Sequence, residues 1–251
     1  MILLELVPKE QEALLLLAKQ ITDDFPQIHG INIPDVKRLL LRSHDAAYAL
    51  LSAYPGYTIV PHSRSMDRTL EKSISLIETL VRKGLKQVLI VKGDTPLNPS
   101  DDIFPISPLD LISECREAFP DLKIYAALDP YRTSFREELA YCHDKIKAGA
   151  DGFFSQPFFD PDLARIYIEQ LEGSSLFIGI SPVTTEKSRN YWLTRNNVFF
   201  PKNFDIRFEA QVELTQQMIA LTKKLNQHNY LMPITIDVYT YIKQVFSKPL
   251  Y

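Results

Sequence analysis

The 251-residue chain is poor in cysteine, in charge bias and in long apolar runs, and each shortage closes off a class of protein. Its two cysteines, Cys115 and Cys142, fall inside helical patterns with no CxxC partner and no metal-ligand spacing. They read as reduced, buried thiols of a cytoplasmic protein rather than as a disulfide framework. Lys plus Arg number 28 and Asp plus Glu 31, so the net charge is only -3, with no long run of either sign. That argues against an electrostatic grip on nucleic acid or anionic lipid. The N-terminal MILLELVPKEQEALLLLAKQ meets Glu5, Lys9, Glu10 and Glu12 before a signal peptide or membrane span can develop. No GxGxxG follows a strand-like run, which leaves a Rossmann dinucleotide site without support. No linker, repeat or low-complexity block marks a second domain.

What is present is an alternation of short β-rich runs with longer stretches of helical period, which implies parallel strands with helices outside. Strands are expected at 2–7, 28–33, 57–62, 87–93, 123–128, 152–156, 176–181 and 229–236. Between them, Leu70, Ile74, Ile77 and Val81 step by four, three and four, and Phe135, Leu139, Cys142 and Ile146 repeat that spacing. Each set predicts a helix with one apolar face toward a sheet. Gly84 and Gly149 stand just past those helices, where a left-handed cap suits glycine. Eight such units, with 45% hydrophobic residues, predict one (β/α)8 barrel of the TIM type, a single domain over residues 1–251.

In a parallel barrel, ligands meet the carboxyl ends of the strands, which singles out the polar residues there. Glu5 lies in strand one, Asn32 near the end of strand two and His62 at the end of strand three. Lys92 and Asp94 end strand four, and Gln156 ends strand six. A carboxylate flanked by Leu3, Leu4, Leu6 and Val7 is costly to bury without a purpose, although an ion pair would also explain Glu5. His62 suits a structural hydrogen bond as well as a ligand contact. Asp94, in KGDTP, suits a turn cap as well as a site. Gln156, between Phe154 and the Pro157-Phe158-Phe159 run, offers a neutral amide among aromatics, which suits recognition of a planar heterocycle.

LELVPK, IVPH, VLIVKGD, KIKAGADGFFSQPFFD and GISPV resemble the strand-end motifs of the methylenetetrahydrofolate reductase family, from Glu5 to about Val183. AGADGFFSQPFFD is the most specific piece, and KGDTP is similar to the family's RGDxP. The resemblance implies a barrel in which FAD takes a hydride from NAD(P)H and passes it to 5,10-methylenetetrahydrofolate, by a ping-pong mechanism, to give 5-methyltetrahydrofolate. The implied setting is one-carbon metabolism and methionine biosynthesis. By position, Glu5 matches the acid that supplies a proton toward N10 of the folate. For that task its apolar flanks would raise its pKa. Asp94 matches the aspartate beside flavin and pterin, and Gln156 the pterin-contacting glutamine. His62, Lys92, Gly93, Glu138 and Lys145 match FAD-contacting positions, with Lys92 in place of arginine, and Asn32 falls near a flavin-contacting threonine.

The chain also departs from the pattern. Leu128 replaces a flavin-contacting tyrosine, Glu186 stands near the place of a substrate-packing aromatic, and PITIDV ends strand eight where the family has Leu-Asn-Arg. The chain is shorter than typical members, so trimmed loops around the rim are expected. These departures keep other readings open: a reductase-like barrel that binds flavin or folate without ordinary catalysis, or a subunit that needs a partner. A homo-oligomer is equally open. A metal-dependent hydrolase or lyase would use Glu5, His62 and Asp94, though no HxH pair supports it. A Schiff-base aldolase would need Lys92 as its amine.

Overall fold

A computed structural model of the chain describes residues 1–93 and 102–247. Eight strands run in chain order: β1 (Ile2–Glu5), β2 (Gly30–Ile33), β3 (Thr58–Arg64), β4 (Gln87–Val91), β5 (Lys123–Leu128), β6 (Gly152–Pro157), β7 (Ser175–Ile180) and β8 (His228–Leu231). Each pairs in parallel with the next, and β1 closes on β8 with Leu3 opposite Tyr230, so the sheet is a closed barrel. Among the described residues the helices are α1 (Gln11–Asp24), α2 (Ser43–Ala53), α3 (Leu70–Arg82), α4 (Pro108–Ala118), α5 (Phe135–Ala148), α6 (Pro161–Gln170), α7 (Glu186–Arg195), α8 (Phe208–Lys224) and α9 (Val238–Val245). None is long and apolar enough to cross a membrane. The predicted (β/α)8 barrel is the observed architecture, with α7 and α8 both lying between β7 and β8.

Period-two alternation divides the core. Leu3, Val60, Leu89, Tyr125, Phe154, Phe177 and Tyr230 fill the barrel, while their strand neighbours, Leu4, Ile59, Ile90 and Phe153 among them, pack beneath the helices. The filling is unusually aromatic for a barrel that ordinarily holds branched aliphatics. Phe154 stacks on Phe177 with centroids 4.2 Å apart, and Tyr125 meets both rings edge-on at 5.2 Å. These rings close the interior below the strand ends, so a ligand has access from the rim rather than through the barrel.

The predicted stripe on α3 is observed: Ile77 is buried, and Leu70, Ile74 and Val81 pack on the core. Gly84 and Gly149 have φ of 102° and 115°, as their cap positions require. The stripe on α5 is observed in part: Cys142 is buried and Leu139 packs on the core, whereas Phe135 and Ile146 are 39% and 37% exposed and Glu138 and Lys145 are buried beside Cys142. A pattern of apolar residues cannot anticipate buried charged groups, which is why Glu138 and Lys145 are absent from the predicted face. β8 stops at Leu231 instead of continuing to residue 236, because Pro233 has no N–H for the ladder and Thr235 adopts φ 69°.

Candidate active site

Three of the predicted residues meet at the carboxyl ends of β1, β2 and β3. Register sets Glu5 opposite Asn32 and Asn32 opposite Val60, two residues before His62. Asn32 Nδ2 donates to Glu5 Oε2 at 3.1 Å, and Asn32 Oδ1 lies 3.1 Å from His62 Nε2. Asn32 is wholly buried, and Glu5 is 8% exposed. Burial pushes the Glu5 carboxyl up to about 7, with the Asn32 hydrogen bond pulling the other way. Burial also pushes His62 down to about 4, with Asp35 pulling the other way and Arg64 adding a smaller push in the same direction. At neutral pH the cluster therefore holds a neutral imidazole beside a carboxyl poised between its two states.

Glu5 pairs with no lysine or arginine among the described residues, so the ion-pair explanation of its burial is not what is seen. Its carboxyl is held by an uncharged amide, which leaves desolvation largely uncompensated. This arrangement can donate a proton near neutrality.

A second cluster, which sequence reasoning missed, braces these strand ends. Arg42, at the start of α2, forks onto Asp35 with Nε and Nη2 at 2.7 and 2.6 Å, and Nη2 also reaches Asp67 at 2.9 Å. Arg64 Nε donates to the same Asp67 oxygen at 3.0 Å. Burial raises the Asp35 carboxyl, but the Arg42 fork and the Ser43 amide outweigh it and leave the group below its ordinary range. Ser43 links the two clusters: its hydroxyl donates to Ile33 O at 2.7 Å and accepts from the His62 N–H at 3.0 Å. Arg64 and Asp67 are three apart in sequence, but Arg42 lies 25 residues from Asp67 and seven from Asp35. No local motif announces such a network.

Glu138 and Lys145 are brought together on α5, away from the first cluster. They are 1% and 2% exposed. Glu138 accepts from the Asp129 N–H at 3.0 Å and from Arg132 at 2.5 Å. Lys145 Nζ donates to Ala127 O at 2.5 Å, stands 4.0 Å from Glu138 and lies 4.0 Å from the Tyr141 ring centroid. Burial lowers the lysine to about 8, against the opposing influence of Cys142 and Glu138. Lys145 is thus a buried, engaged lysine and not a solvated one. Both residues bind the corner where β5 turns into α5.

Gln156 stands where the β6–β7 register shifts, between Phe154 opposite Phe177 and Pro157 opposite Gly179. Such irregularities re-aim side chains and are common beside active sites. The side chain is half-buried, and its amide has no hydrogen-bond partner among the described residues. Lys92 is exposed just past β4. Gly93 has φ 95°, and a Cβ there would come within 2.9 Å of the Arg64 guanidinium, so the close approach is to a side chain of the protein itself. Asp94 lies outside the described residues.

Two departures from the pattern are repositioned. Leu128 faces the helix layer, 1% exposed, rather than the barrel mouth. Glu186 opens α7, with its side chain 64% exposed and 3.7 Å from Arg189. Among the described residues, no three His, Cys, Asp or Glu side chains gather as metal ligands.

Comparison with known proteins bears on the fold and the family. An uncharacterised Clostridium thermocellum protein that binds two copies of 5-methyl-5,6,7,8-tetrahydrofolic acid shares the fold with a TM-score of 0.68 at 13% identity, over 98% of this chain and 94% of that one. A 2,3-dimethylmalate lyase shares it with a TM-score of 0.62 at 11% identity, over 94% and 75%. At such identities the likeness is one of fold. The 5,10-methylenetetrahydrofolate reductases of Pectobacterium carotovorum subsp. carotovorum and Salmonella typhimurium are 22% and 21% identical over 160 residues, 62% of this chain and 54% of theirs. The chain thus spans about half the length of the curated relatives it matches. The methylenetetrahydrofolate reductase profile matches residues 37–233. The chain belongs to the methylenetetrahydrofolate reductase family.

Proposed function

We propose that this protein reduces 5,10-methylenetetrahydrofolate to 5-methyltetrahydrofolate in the cytoplasm, with NAD(P)H as reductant, FAD as hydride carrier and Glu5 as general acid. The observation that carries the reading is Glu5 itself: a buried carboxyl at the rim, raised to about 7 by desolvation and held by an amide. A carboxyl with that value keeps a substantial protonated fraction at physiological pH, as a general acid requires. Family membership and the folate bound by the Clostridium thermocellum neighbour support a folate substrate. Gln156, whose amide has no partner among the described residues, and Asp94 would hold the pterin.

The fit to a flavin is uneven. His62, Lys92 and Gly93 stand at the ends of β3 and β4, where a flavin ring would have polar contacts. Glu138 and Lys145 offer it nothing as arranged, because their polar atoms are spent on Asp129, Arg132 and Ala127. A reduced flavin bound at the rim would supply the hydride. The chain's own part is to hold the pterin through Gln156 and Asp94 and to exclude water below with the aromatic filling. Glu5 gives its proton toward N10, the five-membered ring opens, and the iminium formed on the folate becomes the hydride acceptor. Glu5 is left as carboxylate and regains a proton from solvent.

The closed Glu138–Lys145 corner favours a second reading, a folate-binding barrel without hydride transfer. Anaerobic mixing separates the two. Protein reconstituted with FAD is reduced by NADH, then given 5,10-methylenetetrahydrofolate. Bleaching followed by return of the flavin colour supports the reductase. Folate binding by a protein that takes up no flavin supports the binder.

A further inference from the structure

Asn32 has no exposed surface, and both ends of its carboxamide are committed, Nδ2 to Glu5 Oε2 and Oδ1 to His62 Nε2. A primary amide has one donating and one accepting end, so only two arrangements satisfy this chain of contacts. In the first, His62 carries its proton on Nε2 and donates to Oδ1, while Nδ2 donates to Oε2. When Glu5 is neutral, the accepting oxygen is the carbonyl one, so the acid proton sits on Oε1. In the second, His62 carries its proton on Nδ1, Nδ2 donates to Nε2, and Oδ1 accepts the acid proton from Oε2. Passing from the first to the second moves the carboxyl proton from Oε1 to Oε2 and the imidazole proton from Nε2 to Nδ1, and turns the amide over. No proton is gained or lost.

We propose that Asn32 and His62 are positioning residues that hold the Glu5 proton on Oε1, the oxygen without a hydrogen-bond partner among the described residues, and so keep it directed at substrate. The inference rests on the reading of Glu5 as the general acid. The geometry that supports it extends beyond the three side chains. The His62 main chain is tied to Ser43, Ser43 to Ile33 and Asp35, and Asp35 to Arg42, so the imidazole hangs from a braced strand end. Burial keeps the ring neutral at neutral pH, so it has one N–H to place. The other groups facing the cluster do not compete. Tyr230 of β8, which senses the charge of Glu5, gives its hydroxyl proton to Ser155 O, and Asp35 and Arg64 act on His62 with opposite signs.

The direct test is ¹⁵N NMR of the imidazoles in the unaltered protein, with the His62 signals assigned by their loss in His62→Gln. The expected result is protonated Nε2 and bare Nδ1 through the neutral range. The opposite tautomer would overturn the proposal. A second test follows the Glu5 carboxyl by ¹³C NMR, identified by its loss in Glu5→Gln. In Asn32→Leu the charged form loses its donor, so the midpoint is expected to rise by about one pH unit. A folded Asn32→Leu protein with an unmoved midpoint overturns the proposal, because a merely structural asparagine would change only the melting temperature. Neither measurement needs flavin or folate. Failure to reduce 5,10-methylenetetrahydrofolate would therefore count against the functional reading and not against the proton's placement.

Discussion

Glu5 and Asn32 face each other across the β1–β2 register, and the asparagine amide donates to the carboxyl at 3.1 Å without neutralising it. A lysine in that place would have kept the carboxyl ionised. An amide lets burial raise its pKa, and the consequences can be measured.

Turnover should depend on that proton. Glu5→Gln keeps the shape and can still accept from Asn32, so folding and flavin uptake are expected to persist while folate reduction falls by about a hundredfold or more. In the wild-type protein the rate should decline as pH rises through about 7, where Glu5 loses its proton. Steady-state rates across that range check both statements, and an unchanged rate in the variant removes Glu5 from the mechanism.

Stability should carry the same signature. Glu5 moves from an ordinary 4.5 to about 7 on folding, so its contribution is fully present below pH 4.5 and is lost as pH rises through 7. The difference is on the order of 3 kcal/mol. Urea unfolding at pH 5 and pH 8 should show wild type losing stability relative to Glu5→Gln on going to the higher pH. Parallel behaviour of the two proteins would mean that the carboxyl is not shifted.

The barrel was legible because its signals are local. Strands such as Lys123–Leu128 and the α3 stripe follow from periodicity, and Gly149 from the cap it forms. Glu5 stood out because a carboxylate among leucines is costly. The relation of Asn32 to both Glu5 and His62 was not legible, since the partners lie 27 and 30 residues away and meet only through strand register. For Glu138 and Lys145 the motif match gave positions but could not give their burial on the inner face of α5.

The missed Asp35–Arg42 pair should matter to folding. Arg42→Met leaves a buried carboxylate without its fork, at a cost of about 3 kcal/mol and a melting temperature lower by roughly 5–10 °C. In the wild type Asp35 lies below its ordinary value, so its contribution is present above that value and lost as pH falls through the folded one. Acid unfolding of wild type and Asp35→Asn checks the sign: wild type should lose more stability in acid.

Gln156 should affect substrate binding more than chemistry. Gln156→Leu preserves volume but removes the amide, and KM for the folate is expected to rise roughly tenfold with little change in kcat. Unchanged KM would mean that the residue at the β6 register shift does not touch the pterin.

Folate reduction is read from the yield of 5-methyltetrahydrofolate when FAD-reconstituted protein is given NADH and 5,10-methylenetetrahydrofolate. The expected result is one methyltetrahydrofolate formed for each NADH consumed, and near-complete loss of that product with Glu5→Gln. Flavin-loaded protein that binds the folate yet forms no methyltetrahydrofolate with either NADH or NADPH would contradict it.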